Sequence, residues 1–254
     1  MPRKNAPREL TSKPPDLGPF PYVDYTQAKK TLLTALGGSC FYALLTGASG
    51  MGKTALGRDI TASLDRHRYL LVYLAAPRIN LVSLVRLLAR RLHVGTCRSY
   101  LETVDIIAET IDAQPTHMII WLDEADQLDT DTLQEIRTLA EHKLTAQQIV
   151  TIIFSGLPEL ASKLEAPALF PLKRRIAYRS TLSGLRRDEL DPFLEHRFGT
   201  QEEKRVPLSA RDDLFERTQA APALLDQVVR HALTRAKGTI SPEVFRAVLD
   251  AHGL

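Results

Sequence analysis

The stretch "GASGMGKT" at residues 47–54 decides how the rest of the chain is read. It has a glycine, four residues, then glycine, lysine and threonine. Such a run binds phosphate only when a strand enters it and a helix leaves it. Both are present: "FYALLTG" (41–47) is a short apolar run of strand formers, and "GKTALGRDITASLDRH" (52–67) has helical spacing. In that setting the loop of Gly47, Ala48, Ser49, Gly50, Met51 and Gly52 turns successive backbone N–H groups inward on phosphate oxygens. Lys53 neutralises the β- and γ-phosphates, and Thr54 offers its hydroxyl to Mg2+. The helix N-terminus at Ala55 adds a partial positive charge. ATP and Mg2+ are the expected cofactors.

Outward from the loop, similar apolar runs recur at "YLLVYLAA" (69–76), "HMIIWLDEA" (117–125) and "IVTIIFSG" (149–156). Between them lie helical patterns: "LVSLVRLLARRL", "YLETVDIIAETIDA" and "TDTLQEIRTLAEHKL". Continuous apolar strands alternating with amphipathic helices specify a parallel sheet covered on both faces. The fold class is therefore α/β, a P-loop NTPase with a three-layer parallel sheet. After about Leu185 the strand signal stops and short helices follow, the last opened by Ser241 as N-cap and Pro242 in the first turn. The expected organisation is a basic, proline-rich, flexible arm over 1–20, an α/β domain over 21–185 and a helical domain over 186–254.

The stretch "IIWLDEADQLD" (119–129) supplies the second half of the chemistry. A strand buried on both faces delivers Asp123 and Glu124 to the sheet edge where such sheets bind ligands. Asp123 is the expected Mg2+ partner with Thr54, and Glu124 the residue that orients and polarises the attacking water. The acid pair favours hydrolysis over phosphoryl transfer to a metabolite. The letters D-E-A-D also name a helicase group, but too little chain follows Asp126 for the second α/β unit such a helicase needs. They read here as a chance extension of the D-E pair.

Composition sets few limits. The chain has 254 residues, 44% of them hydrophobic and 25% charged, with a formal net charge of +3. These are ordinary values for a globular protein and do not by themselves imply nucleic acid. No apolar run has membrane-spanning length, the N-terminus carries no secretory pattern, and Cys40 and Cys97 fit no metal or redox spacing. A cytoplasmic protein with no membrane partner is expected.

At this point the chain resembles a known group. The loop, "LDEADQL" with "TLQEIRTLAEH", "IIFSGLPELASKL" and "LKRRIAYRSTLSGLRRDEL" are similar to the AAA+ ATPases of the ExeA/TniB/TnsC group, from about Tyr22 to the C-terminus. The resemblance implies a five-stranded sheet followed by a small helical lid, with ATP bound between subunits. It places Ser155 at the sensor-1 position and Arg175, or its neighbour Arg174, as the arginine offered to the adjacent subunit's γ-phosphate. Tyr22 and Val23 fall where the group covers the adenine, and Pro222 opens the lid helix near the nucleotide. The group's usual proline–arginine pair reads Pro222-Ala223 here, so the sensor-2 arginine is missing and slow, partner-stimulated hydrolysis is expected.

The resemblance divides by biology, into secretion ATPases carrying membrane and wall-binding segments and transposition regulators that polymerise on double-stranded DNA. The absence of further segments in this sequence favours the second: an ATP-dependent regulator that binds DNA without reading its sequence and marks the target. It would recruit a transposase, with or without a target-selection protein, and assemble as a ring or a helical filament. A protein-remodelling ATPase that never touches DNA is the alternative. Arg78, Arg86, Arg90, Arg91 and Arg98 are the candidate phosphate contacts, since such residues repeated on each subunit could track a backbone.

Overall fold

The computed structural model describes residues 18–37, 42–75, 80–113, 116–143, 150–235 and 240–254. Arg78 and Cys40 of the residues named above lie outside them, as does most of the expected arm. The chain divides into two compact units, one over Val23–Gly184 and one comprising Leu185–Leu254 with the residues through Tyr22.

The first unit runs α1 (Val23–Gly37), β1 (Tyr42–Gly47), α2 (Lys53–Ser63), β2 (Tyr69–Ala75), α3 (Leu81–Arg91), α4 (Tyr100–Asp112) and β3 (His117–Asp123). It continues with α5 (Thr130–Lys143), β4 (Val150–Gly156), α6 (Pro158–Lys163), α7 (Phe170–Arg175) and β5 (Ile176–Leu182). The strands form one parallel sheet in the order β2-β3-β4-β1-β5. The three central strands are buried almost throughout, as their unbroken apolar runs require.

Alternation along the strands sorts the core into two layers. Val72, Leu74, Met118, Ile120, Leu122, Ile152 and Phe154 pack with Leu84, Val85 and Leu88 of α3, Val104, Ile107 and Ile111 of α4, and Leu133 and Ile136 of α5. The intervening residues Ala43, Leu45, Ile119, Trp121 and Ile153 are buried on the opposite face, the side of α1 and α2. A fully buried leucine or isoleucine contributes on the order of 2 kcal/mol by leaving water, so the sheet is held from both sides. The asparagine Asn80 caps α3 by accepting from Ser83 N at 2.9 Å.

The fifth strand carries no apolar run. Its burial alternates along "IAYRSTL", with Ile176 and Leu182 inside and Ala177, Arg179 and Thr181 exposed, because it lies at the sheet edge beside β1. Among the described residues there is one five-stranded sheet.

The second unit contains α8 (Leu190–Phe198), α9 (Thr200–Glu203), α10 (Leu208–Arg217), α11 (Pro222–Arg235) and α12 (Pro242–Ala251). Its core is Leu190, Phe193, Leu194, Leu214, Leu225, Val228, Val229, Phe245 and Leu249. Arg211 is 4% exposed and pairs with Asp191 at 2.8 Å and with Glu203, while Val206 O accepts from its guanidinium. A buried arginine is tolerated only when so compensated. Burial opposes its charge, and the bonds to Asp191 and Glu203 outweigh that and raise its pKa.

At the end of the arm expected to be flexible over 1–20, Phe20 packs edge-to-face on Phe193 at 5.7 Å and Gly18 O lies 3.2 Å from His196 Nε2. Ser241 holds the N-cap position of α12 but its side chain makes no capping bond. Its hydroxyl instead bonds the Glu243 carboxylate, and this holds that carboxyl below its ordinary pKa.

Candidate functional site

The phosphate-binding loop joins the C-terminal end of β1 to the N-terminus of α2. Gly47 is required by packing, since a Cβ there would stand 2.7 Å from Leu182 O of β5. Gly50 and Gly52 are required by conformation, with φ of 80° and 97°. The Lys53 ammonium donates to Gly47 O at 2.6 Å and to Ala48 O at 3.0 Å, so it lies along the loop it serves. Burial lowers its pKa against the opposing pull of Asp123, Asp126, Glu124 and Glu159.

Asp123 ends β3 and is 5% exposed. Its Oδ2 accepts from Thr54 Oγ1 at 2.8 Å and from the Tyr73 hydroxyl. Its Oδ1 accepts from Ser155 Oγ at 2.6 Å and from Glu124 N at 3.1 Å. Burial would raise the pKa of this carboxyl, but the bonds from Ser155, Tyr73, Thr54 and the Glu124 backbone overcome it and hold the group ionised. A hydroxyl and a carboxylate side by side at the mouth of a phosphate loop are hard oxygen donors of the kind Mg2+ takes. Thr54 and Asp123 therefore fit that ion. Among the described residues no cluster of three His, Cys, Asp or Glu suits another metal.

Glu124 is exposed beside Asp123, with backbone angles φ 55° and ψ 35°. A left-handed glutamate costs on the order of 1 kcal/mol. The conformation is held by Ala125, which is fully buried, and by Gln127 N donating to Glu124 O at 3.0 Å.

Asp126 was read as an accidental last letter and is instead a brace. Its Oδ1 accepts from Leu157 N at 2.9 Å, tying the turn after β3 to the turn after β4. Gly156 makes room for it, since a Cβ there would lie 2.5 Å from that same oxygen. Lys163 of α6 adds a bond to Leu128 O at 2.8 Å. The run "GLPEL" (156–160) is thus the partner of the D-E-A-D run.

Ser155, offered by the sequence as a sensor, is fully buried and points at Asp123. Its oxygen also accepts from Trp121 Nε1 at 2.8 Å. Tyr73 and Trp121 were missed entirely. They are paired by the β2–β3 register, with rings stacked at 6.2 Å, and no spacing in the sequence reveals that pairing. Gly57 of α2 lies against both, a Cβ there coming within 3.2 Å of each ring.

The remaining candidates are dispersed. Arg174 and Arg175 are exposed at the end of α7, where with Phe170 and Pro171 they line a shallow surface pocket. Arg175 Nη1 donates to Pro171 O at 3.1 Å. Val23 begins α1 in the first unit, whereas Tyr22 and Pro222 belong to the second. Arg230, two turns along α11 from Ala223, is engaged within its own unit by Asp226 at 3.0 Å and lies over Phe198. Arg86, Arg90, Arg91 and Arg98 are all exposed. Arg90 and Arg91 also sit in the last turn of α3, where they complement the helix dipole.

A family profile described as an AAA domain matches residues 39–164. The ORC2 protein of Aeropyrum pernix in its ADP form has a similar structure, with a TM-score of 0.65 at 14% identity, covering 95% of this chain and 71% of that one. The Aeropyrum pernix ORC1 protein in complex with DNA gives 0.60 at 19% identity, covering 90% of this chain and 64% of that one. At these identities the likeness shows the fold, which is that of the AAA+ P-loop ATPases. In sequence the chain is similar to General secretion pathway protein A of Aeromonas hydrophila, 24% identical over 161 residues. That match covers 61% of this chain and 29% of the relative, so the chain corresponds to a minor part of that protein. Among the described residues no helix is long and apolar enough to cross a membrane.

Proposed function

We propose that this chain hydrolyses ATP and regulates DNA transposition, assembling on double-stranded DNA in its ATP-bound form and recruiting a transposase to the marked target. The observation that carries the ATPase reading is the junction of Thr54 with Asp123 at 2.8 Å, directly beneath the phosphate loop and next to Glu124. Lys53 and the loop amides bind the phosphates. Thr54 and Asp123 would hold Mg2+, which would supply charge neutralisation at the phosphates. Ser155 fixes the Asp123 carboxylate. Glu124 orients the attacking water and polarises it, and its exposure leaves the carboxylate accessible to solvent.

Assembly is supported by the exposed Arg174 and Arg175. An arginine supplied in trans couples hydrolysis to contact between subunits, because neither subunit alone completes the charge stabilisation. DNA binding is supported by the exposed arginines of α3 and by the fold shared with a protein whose structure holds DNA. The transposition role rests on the resemblance of the "GLPEL" and "RI" runs. Hydrolysis then acts as a timer: loss of the γ-phosphate removes what the in-trans arginine grips.

Electron microscopy of the purified chain with double-stranded DNA tests this, comparing a slowly hydrolysed ATP analogue with ADP. Rings or filaments on DNA with the analogue alone are expected. The sequence likeness to a secretion protein favours a second reading, a protein-remodelling ATPase. Bare DNA under both conditions at low salt would select it.

A further inference from the structure

We propose that the Tyr73 phenol is a displaceable placeholder on Asp123, occupying the lone pair that Mg2+ engages, and that Trp121 registers the exchange through Ser155. This rests on the nucleotide-binding reading above. A carboxylate offers about four acceptor positions, and protein donors fill them all: Thr54 and Tyr73 on Oδ2, Ser155 and the Glu124 amide on Oδ1. Asp123 can serve a metal, directly or through water, only if one donor yields.

The four donors differ in how readily they move. The Glu124 amide is backbone, fixed by the buried Ala125 on its far side. Ser155 is fully buried and held from behind by Trp121 Nε1 at 2.8 Å. Thr54 need not leave, since its oxygen lone pairs can face a metal while its proton stays on Asp123. Tyr73 remains. Its side chain is only half-buried, on the edge strand β2, and its hydroxyl sits at the end of a long lever. Tyr73 thus keeps the buried carboxylate satisfied until the ion arrives, then gives way.

The opposite oxygen carries the signal. Ser155 Oγ donates to Asp123 and accepts from the indole, so any change in charge on Asp123 alters the bond at Trp121 Nε1. Trp121 is the single tryptophan of the chain, which makes its emission specific to this site.

The test uses the full chain and a slowly hydrolysed ATP analogue. Analogue affinity is measured first in EDTA, and Mg2+ is then titrated into the stoichiometric complex by calorimetry and by tryptophan emission. Tyr73→Phe keeps the ring on Trp121 and removes only the hydroxyl. Its Mg2+ midpoint is expected to fall roughly tenfold, the weight of one hydrogen bond to a charged group, with analogue affinity in EDTA unchanged. A midpoint within about twofold of wild type, or a raised one, overturns the placeholder. In wild type, Mg2+ is expected to shift the Trp121 emission. Because the Tyr73 ring stacks on Trp121, the relay is read in the Tyr73→Phe background, where no phenol has to give way. There the added Ser155→Ala is expected to lose the shift while calorimetry still records Mg2+ binding, and a shift that survives overturns the relay. No analogue binding with or without Mg2+ would instead overturn the nucleotide reading, and this proposal with it.

Discussion

Gly156 and Asp126 form a pair whose energetics can be worked through before any measurement. A methyl group at position 156 would lie 2.5 Å from Asp126 Oδ1, 3.1 Å from Asp126 N and 3.2 Å from Leu160 Cδ2. The first distance is far inside contact, so in Gly156→Ala the carboxylate must swing away and its bond to Leu157 N is lost. Overpacking of this kind costs about 1–3 kcal/mol and a hydrogen bond to a charged group about 1.5 kcal/mol more, giving a destabilisation near 3 kcal/mol. Asp126→Ala alone loses the bond without the clash, about 1.5 kcal/mol. The double variant cannot lose the same bond twice, and its clash with the carboxylate is gone. Its cost should fall short of the sum by about 1.5 kcal/mol or more. Urea unfolding followed by Trp121 emission isolates the unit that holds both residues. Additivity within about 0.5 kcal/mol would refute the claim that Asp126 is what Gly156 accommodates.

Glu124→Gln should reduce ATP hydrolysis by about 100-fold or more while leaving ATP binding intact, because the polarising base is lost and the phosphate contacts are not. Hydrolysis at the wild-type rate would remove Glu124 from the mechanism. Arg175→Ala and Arg174→Ala should each be compared in mixtures with Glu124→Gln. The one that supplies the in-trans charge will be inactive alone and partly restored in the mixture, since an intact arginine then faces an intact acid. His117 gives a pH signature. Its Nε2 lies 2.8 Å from Thr151 Oγ1 and burial lowers its pKa, so the folded state disfavours the proton. The associated stability is fully present above the ordinary histidine value of 6.5 and is lost as pH falls through the lower folded value. Thermal unfolding of His117→Gln should therefore lose part of the wild-type slope over that window, and an identical slope would show that His117 does not titrate with unfolding.

The sheet was legible in the chain where strands are buried on both faces. The runs at β1, β2, β3 and β4 read as strands because no charged residue interrupts them. The fifth, "IAYRSTL", carries an arginine, a serine and a threonine and follows three basic residues, so by pattern it reads as a basic surface segment. Its edge position makes that composition acceptable, and only the resemblance anticipated a fifth strand. The same division runs through the site. Lys53, Thr54, Asp123 and Glu124 stand out because their chemistry depends on spacing along the chain. Tyr73, Trp121, Ser155 and Asp126 meet through strand register and loop contact, across separations of up to 50 residues, and local pattern does not encode such meetings. Ser155 was found for its position, but its partner could be seen only in three dimensions.

Gly57 gives the arrangement a constraint on change over time. Two aromatic rings fill the space above it, so volume at position 57 and volume at positions 73 and 121 must be exchanged rather than added. A descendant of this chain that gains a methyl group at 57 makes both rings give by a few tenths of an ångström, and any larger side chain asks more of them. Each such shift reaches the donors around Asp123, so change at 57 is coupled to change at 73 and 121.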